Sequence, residues 1–202
     1  MGRPKIFLDF DDTLFDTKRA TLSYFKDKYG IELDPHRWYC GNQFYEIINQ
    51  QLEKKISADV FWKDFADEFL ASVERHKQVE AMPQMVPVVK ELAEKYDLYV
   101  VTARQEEGKK SMFYLFERDI KGCINFAHFA WARSRKEKEY FSKKDFIQSR
   151  WGENVCYMDD NPNEIKEIDP FLPSFLFDPK GFHKETPFKR IESWEEFANK
   201  IL

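Results

Sequence analysis

Cysteine is scarce in this 202-residue chain, and its placement excludes two architectures. Cys40, Cys123 and Cys156 are odd in number and far apart, so they make neither a disulfide framework nor a zinc pattern. They are expected as reduced core or turn residues. The four histidines, His36, His76, His128 and His183, are equally scattered, show no metal spacing and read as structural or exposed. No apolar run is long enough to span a membrane. No apolar signal region opens the chain either: charge arrives at Arg3, Lys5 and Asp9, and Ile6 stands where a myristoylation site needs Ser or Thr. A cytoplasmic location is expected. A basic excess is also missing, since the net charge is −4, and this argues against binding a nucleic acid polymer. Internal repeats and low-complexity linkers are absent.

What the chain does contain is aromatic. Its 20 Phe residues, within a hydrophobic content of 43%, suggest a core built largely of rings. The length suits one domain, or one core domain with a small insertion. Five short apolar segments read as strands: Ile6-Phe7-Leu8, Leu98-Tyr99-Val100-Val101, Ile124-Asn125-Phe126-Ala127-His128, Val155-Cys156-Tyr157-Met158 and Ser174-Phe175-Leu176-Phe177. Helical patterns separate them, which predicts a doubly wound α/β parallel sheet of about five strands. Residues 18–84 interrupt the alternation with helical signals only. Gly30 should stop a first helix, and Ser57 should cap a long one over residues 58–76, where Phe61, Phe65, Phe69 and Val73 recur at four-residue steps. The domains expected are a core of 1–17 and 85–202 and a helical cap of 18–84. Ser142 should cap a helix reaching Trp151, and the charged region 131–140 reads as solvated.

Chemistry concentrates at strand ends. Asp9 and Asp11 follow the first strand in Asp9-Phe10-Asp11-Asp12-Thr13, and a carboxylate beside so much apolar sequence needs a cation or a hydrogen-bond network. An Asp/Thr-rich turn that only caps a helix would show the same residues. Thr102 ends the second strand, with Arg104 two residues on, able to reach a substrate phosphate or simply solvent. Asp159-Asp160-Asn161-Pro162 ends the fourth. Lys143 and Lys144 both stand near a helix start before that strand, and the distance to Gly152 and Asp159 favours Lys144.

These four segments, in this order, resemble the motifs of the haloacid dehalogenase-like phosphohydrolases. In that family a helical cap is inserted just after the first motif, where residues 18–84 lie. The resemblance implies Asp9 as nucleophile, forming an aspartyl-phosphate, and Asp11 as general acid and base. Thr102 and Lys144 would then orient the phosphoryl oxygens. Mg²⁺ would be held by Asp9, Asp159 and the backbone carbonyl of Asp11, with Asp160 as an alternative or supporting ligand. The implied function is a phosphatase acting on a small phosphorylated metabolite. A phosphomutase and a catalytically silent phosphoryl-binding or partner-binding protein remain as alternatives. The segments Phe175-Leu176-Phe177-Asp178-Pro179 and Arg190-Ile191-Glu192-Ser193-Trp194 loosely resemble the ends of 5'-nucleotidases of the family, which raises nucleotides among the substrates. Trp38-Tyr39-Cys40-Gly41-Asn42-Gln43 is either a plain interhelical turn or a segment that contacts substrate.

Overall fold

In the computed structural model β1 (Lys5–Leu8) sits inside the sheet, and Ile6, Phe7 and Leu8 are wholly buried. The structure describes every residue except Met1, Cys40, residues 131–140 and Trp151, and of Asn42 the backbone only. The expectations placed on Cys40, on residues 131–140, on Trp151 and on the side chain of Asn42 therefore lie outside the described residues. The other strands are β2 (Asp97–Thr102), β3 (Ile124–Phe129), β4 (Asn154–Asp159), β5 (Ser174–Phe177) and β6 (Arg190–Ile191). All pair in parallel, in the order β3-β2-β1-β4-β5-β6. The sheet thus has six strands where five were expected. The sixth is two residues long, too short to show any period in a sequence.

Between β1 and β2 lie α1 (Thr17–Tyr29), α2 (Gly41–Gln51), α3 (Ala58–Asp64) and α4 (Val73–His76). Gly30 ends α1 at φ +68°, a conformation that glycine adopts without steric cost. The single long helix expected over 58–76 is instead divided. Ser57 caps α3 as expected, but Phe65–Leu70 is a π-helical turn, and Ser72 caps the separate α4. Phe61, Phe65 and Phe69 recur every four residues, more than the 3.6 of an α-helix. The wider π turn keeps the rings on one face, with Phe65 and Phe69 stacked at 5.1 Å. These rings join Tyr24, Phe25 and Ile48 in an apolar cluster separate from those against the sheet. The chain enters and leaves this insertion side by side. Asp16 N–H donates to Glu80 O at 2.9 Å, and Met82 N–H donates to Leu14 O at 2.9 Å.

The remaining helices are α5 (Met85–Lys95), α6 (Lys109–Asp119), α7 (Lys143–Gln148), α8 (Pro162–Ile168) and α9 (Trp194–Ile201). Strand side chains alternate between two faces. Ile6, Leu8, Val100 and Met158 pack with α5, α6 and α9 through residues such as Leu92, Leu115 and Trp194. Phe7, Val101, Tyr157 and Leu176 pack with α7 and α8 through Phe146, Ile147 and Ile165. Helices cover both faces, as a doubly wound fold requires. Cys123 and Cys156 are free and buried. Among the described residues, no helix is long and apolar enough to cross a membrane.

Candidate active site

Asp9 extends the β1 ladder by one step, its N–H donating to Met158 O at 2.8 Å. That bond sets Asp9 beside Asp159 at the carboxyl ends of two adjacent strands. It is also where the chain reverses direction across the sheet, with β2 and β3 to one side of β1 and β4 to the other. Doubly wound sheets bind ligands at such switch points. Both carboxylates are buried, so their charge needs an answer. Lys143 supplies it: its Nζ donates to Asp9 Oδ1 at 2.6 Å and to Asp159 Oδ2 at 2.7 Å, and the lysine itself is 4% exposed.

The structure therefore brings Lys143 into the cluster, not the expected Lys144, which stays half-buried outside it. Ser142 and Asp145 form a reciprocal capping box that starts α7 and makes Lys143 its first residue. Consecutive helical positions point about 100° apart. Lys143 lies three and four residues before Phe146 and Ile147, the buried pair that seats α7 on the sheet.

Asp159 is well occupied. Its Oδ2 also accepts from the Tyr157 hydroxyl, and its Oδ1 accepts from Asn161 N–H at 2.8 Å. Asp160 is freer; its Oδ2 accepts from the Trp38 indole at 3.3 Å, a contact from the helical insertion. Carboxylate oxygens of Asp9, Asp159 and Asp160 lie within 4.8 Å of one another. Burial, then the repulsion of Asp159 and Asp11 against the opposing pull of Lys143, holds Asp9 well above the usual carboxylate range. Asp160 is raised too, by burial and then by Asp12, Asp159 and Asp9. Burial alone would lower Lys143, but Asp159 and Asp9 more than offset it and keep the ammonium charged.

Asp11 faces a different partner. Arg104 grips it with Nε at 2.9 Å from Oδ2 and Nη2 at 2.8 Å from Oδ1. Burial would raise Asp11, yet the guanidinium outweighs it and holds the carboxyl below its ordinary value. Asp12 adopts a left-handed backbone, φ +56°, which Asp tolerates better than most residues. Its Oδ1 accepts from Lys18 N–H at 2.8 Å, so it closes the turn into α1. Thr102 is fully buried, and its hydroxyl accepts from Arg104 N–H at 3.1 Å. It anchors the turn of residues 102–104 rather than lining the cavity, whose wall here is Ala103, Arg104 and Gln105.

His76 closes the far side of Arg104. Its Nε2 is 3.0 Å from Arg104 Nη1 and its Nδ1 is 2.8 Å from Ser72 O. Arginine can only donate and a carbonyl can only accept, so Nδ1 carries the proton and the ring is neutral. Burial, then the charge of Arg104, pushes its pKa down to about 4. A depressed base means that the unfolded chain binds more protons below its ordinary value of 6.5. Stability should therefore fall as pH drops, by roughly 3 kcal/mol for this residue between about pH 7 and pH 4. Urea denaturation of wild type and His76→Gln across that range should show the wild type losing more. Equal slopes would contradict the assignment.

The cavity above these groups holds about 240 Å³. Its floor is Asp9, Asp11, Lys143 and Asp160, and its far wall is aromatic, with Trp38, Tyr39, Phe44, Trp62 and Phe65 from the helical insertion. The loop after β5 adds Lys180 and His183, held by the buried Asp178, which accepts from Phe182 N–H at 2.7 Å and His183 N–H at 2.9 Å. Of the residues expected at the site, Asp9, Asp11, Asp159 and Asp160 gather here. Thr102 and Lys144 do not line it. Tyr157 and His76 are additions that no motif marks, and Arg104, though on the cavity wall, is buried with its guanidinium bonded to Asp11, His76 and Ser111.

A model of the haloacid dehalogenase-like hydrolase family matches residues 6–166. No curated protein matches the sequence. Among solved structures, a predicted phosphatase from Clostridium acetobutylicum is similar over 100% of this chain and 99% of its own, at 15% identity and a TM-score of 0.70. A haloacid dehalogenase-like family protein from Streptococcus pneumoniae is similar over 99% of both chains, at 14% identity and a TM-score of 0.65. YfnB from Bacillus subtilis, solved with bound magnesium, is similar over 100% of this chain and 99% of its own, at 18% identity and a TM-score of 0.63. At these identities the likeness is one of fold.

Proposed function

Since the chain belongs to the haloacid dehalogenase-like hydrolase family, we propose that it is a magnesium-dependent phosphatase of small phosphate esters that works through an aspartyl-phosphate on Asp9. The carrying observation is the lysine-bridged carboxylate cluster at the ends of β1 and β4. Lys143 holds Asp9 by Oδ1, which leaves Oδ2 to attack phosphorus. Arg104 keeps Asp11 ionised before the ester binds; the anionic ester beside it favours the protonated form. Asp11 would thus take up a proton as the ester binds and give it to the leaving oxygen as the P–O bond breaks. Asp11 then takes a proton from the water that attacks the aspartyl-phosphate. The bond between phosphorus and Asp9 breaks, phosphate is released and Asp9 is restored. Splitting one hard displacement into two lowers each barrier. Lys143 would also meet the charge spreading over the phosphoryl oxygens.

The donor set fits a hard divalent cation. Three carboxylates against one ammonium leave two charges unanswered, and the raised Asp9 and Asp160 express that excess. Asp9, Asp160 and the carbonyl of Asp11 would hold Mg²⁺, while Asp159, already accepting from Lys143, Tyr157 and Asn161, would chiefly fix the lysine. Bound there, the ion would screen the meeting of two anions. The helical insertion would serve as the cap that keeps water from the reaction. Its aromatic wall supports an ester bearing a flat ring, a nucleotide among them. Hydrolysis of a phosphate ester should vanish in excess EDTA and return on adding Mg²⁺. Full activity in the chelator would refute the proposal.

A further inference from the structure

We propose that Arg104 is the positioning residue of Asp11 and that the helical insertion sets Arg104 in place. The inference rests on Asp11 acting as the acid and base. All three guanidinium nitrogens are engaged. Nε and Nη2 hold Asp11, and Nη1 reaches His76 Nε2 at 3.0 Å and Ser111 Oγ at 3.3 Å. The plane also lies over the Phe10 ring, 4.5 Å from its centroid. The Arg104 side chain is 2% exposed, whereas that of Asp11 is 38% exposed. Arginine thus occupies one edge of the carboxylate and turns the other toward the cavity. A two-point contact of this kind fixes direction as well as distance, which a single lysine contact does not.

Two of the supports come from the insertion. His76 ends α4, and Leu70 ends the π-helical turn. Ser111 Oγ, the second partner of Nη1, donates to Leu70 O. Gly108 packs against Leu70 and Arg104: a Cβ there would lie in ordinary contact with Leu70 Cβ at 3.4 Å and Arg104 Cδ at 3.5 Å. Asp11 belongs to the β1 loop and Arg104 to the loop after β2, yet their mutual pose depends on residues 70 and 76. Seating the insertion on the sheet and aiming the proton donor are thereby one event. The Nε donor and both donors of Nη1 are already taken in this arrangement, which favours positioning over phosphate binding.

The test compares kcat/KM for an alkyl phosphate and for p-nitrophenyl phosphate, whose leaving group needs little protonation. Inhibition by inorganic phosphate provides the readout of phosphoryl binding. Asp11→Asn should cost the alkyl ester about 10²–10⁴-fold and the aryl ester far less. Arg104→Lys should shift the alkyl-to-aryl ratio the same way by about 10–100-fold, with phosphate inhibition within about twofold of wild type. Adding Asp11→Asn to Arg104→Lys should bring much less than the product of the two losses, as expected of residues acting as a unit. His76→Gln, which keeps Arg104 itself but alters its support, should shift the ratio by about 3–10-fold and keeps the test open where an Arg104 variant does not fold. Equal losses on both esters in Arg104→Lys, or a large weakening of phosphate inhibition, would overturn the positioning role while Asp11→Asn still shows its selective loss. An unchanged ratio in His76→Gln would overturn the part assigned to the insertion. A loss in Asp11→Asn that ignores the leaving group would instead refute the acid itself, and the proposal with it.

Discussion

Replacing Asp9 with Asn should abolish turnover and leave the fold intact. The change removes the attacking oxygen and nothing in the core, so a loss of about 10⁴-fold or more is expected, as when the nucleophile of a concerted site is deleted. Its effect on stability separates chemistry from structure. Asp9 is a buried carboxylate held by burial and by its acidic neighbours well above its ordinary range. An uncharged isostere relieves that repulsion, and Lys143 keeps Asp159 as a partner. Metal-free Asp9→Asn should therefore unfold at the same temperature as the wild type or a higher one, while turnover on every ester disappears. Activity within tenfold of wild type would remove Asp9 from the role.

The second large effect belongs to Lys143. Lys143→Met keeps the length of the stem but deletes the ammonium, leaving Asp9 and Asp159 buried without their cation. Breaking a buried pair in this way costs about 3–5 kcal/mol. Loss of a donor to the transferring group should add about 10²–10³-fold in kcat. Lys144→Met should change stability by less than about 0.5 kcal/mol, as substitutions away from such features do. Mg²⁺ should restore part of the stability of Lys143→Met but not its kcat, because it answers the charge without replacing the donor. Activity loss in Lys144→Met with Lys143→Met intact would contradict the geometry.

The choice between the two lysines shows where a sequence stops being legible. Counting back from Gly152 and Asp159 located the segment but could not give its rotation. The rotation is nonetheless written in Lys143-Lys144-Asp145-Phe146-Ile147: the two apolar residues define the buried face, and only Lys143 stands one turn before both. The strand ends were readable because apolar runs broke at carboxylates, and the parallel register then set Asp9 beside Asp159. Thr102 ends its strand as expected, but that position could not tell whether its hydroxyl met the cavity or the backbone of Arg104. Arg104 and His76 lie 28 residues apart and meet only after the insertion folds down. No local period signals such a contact. The π turn was hidden because four-residue spacing suits an ordinary helix nearly as well.

The paired crossings at Asp16 and Glu80 bear on how this chain could have come about. The insertion leaves the sheet and rejoins it at points one hydrogen bond apart. A segment with touching ends imposes almost no strain on its host, and the entropy of closing it rises only slowly with length. Lengthening, shortening or exchanging what lies between those two points, short of residues 70 and 76, would thus leave the strand order and the pairing of Asp9, Asp159 and Lys143 undisturbed. Ancestry can rewrite the wall that meets the substrate while the floor stays fixed, as long as the contacts of Leu70 and His76 that seat Arg104 are kept.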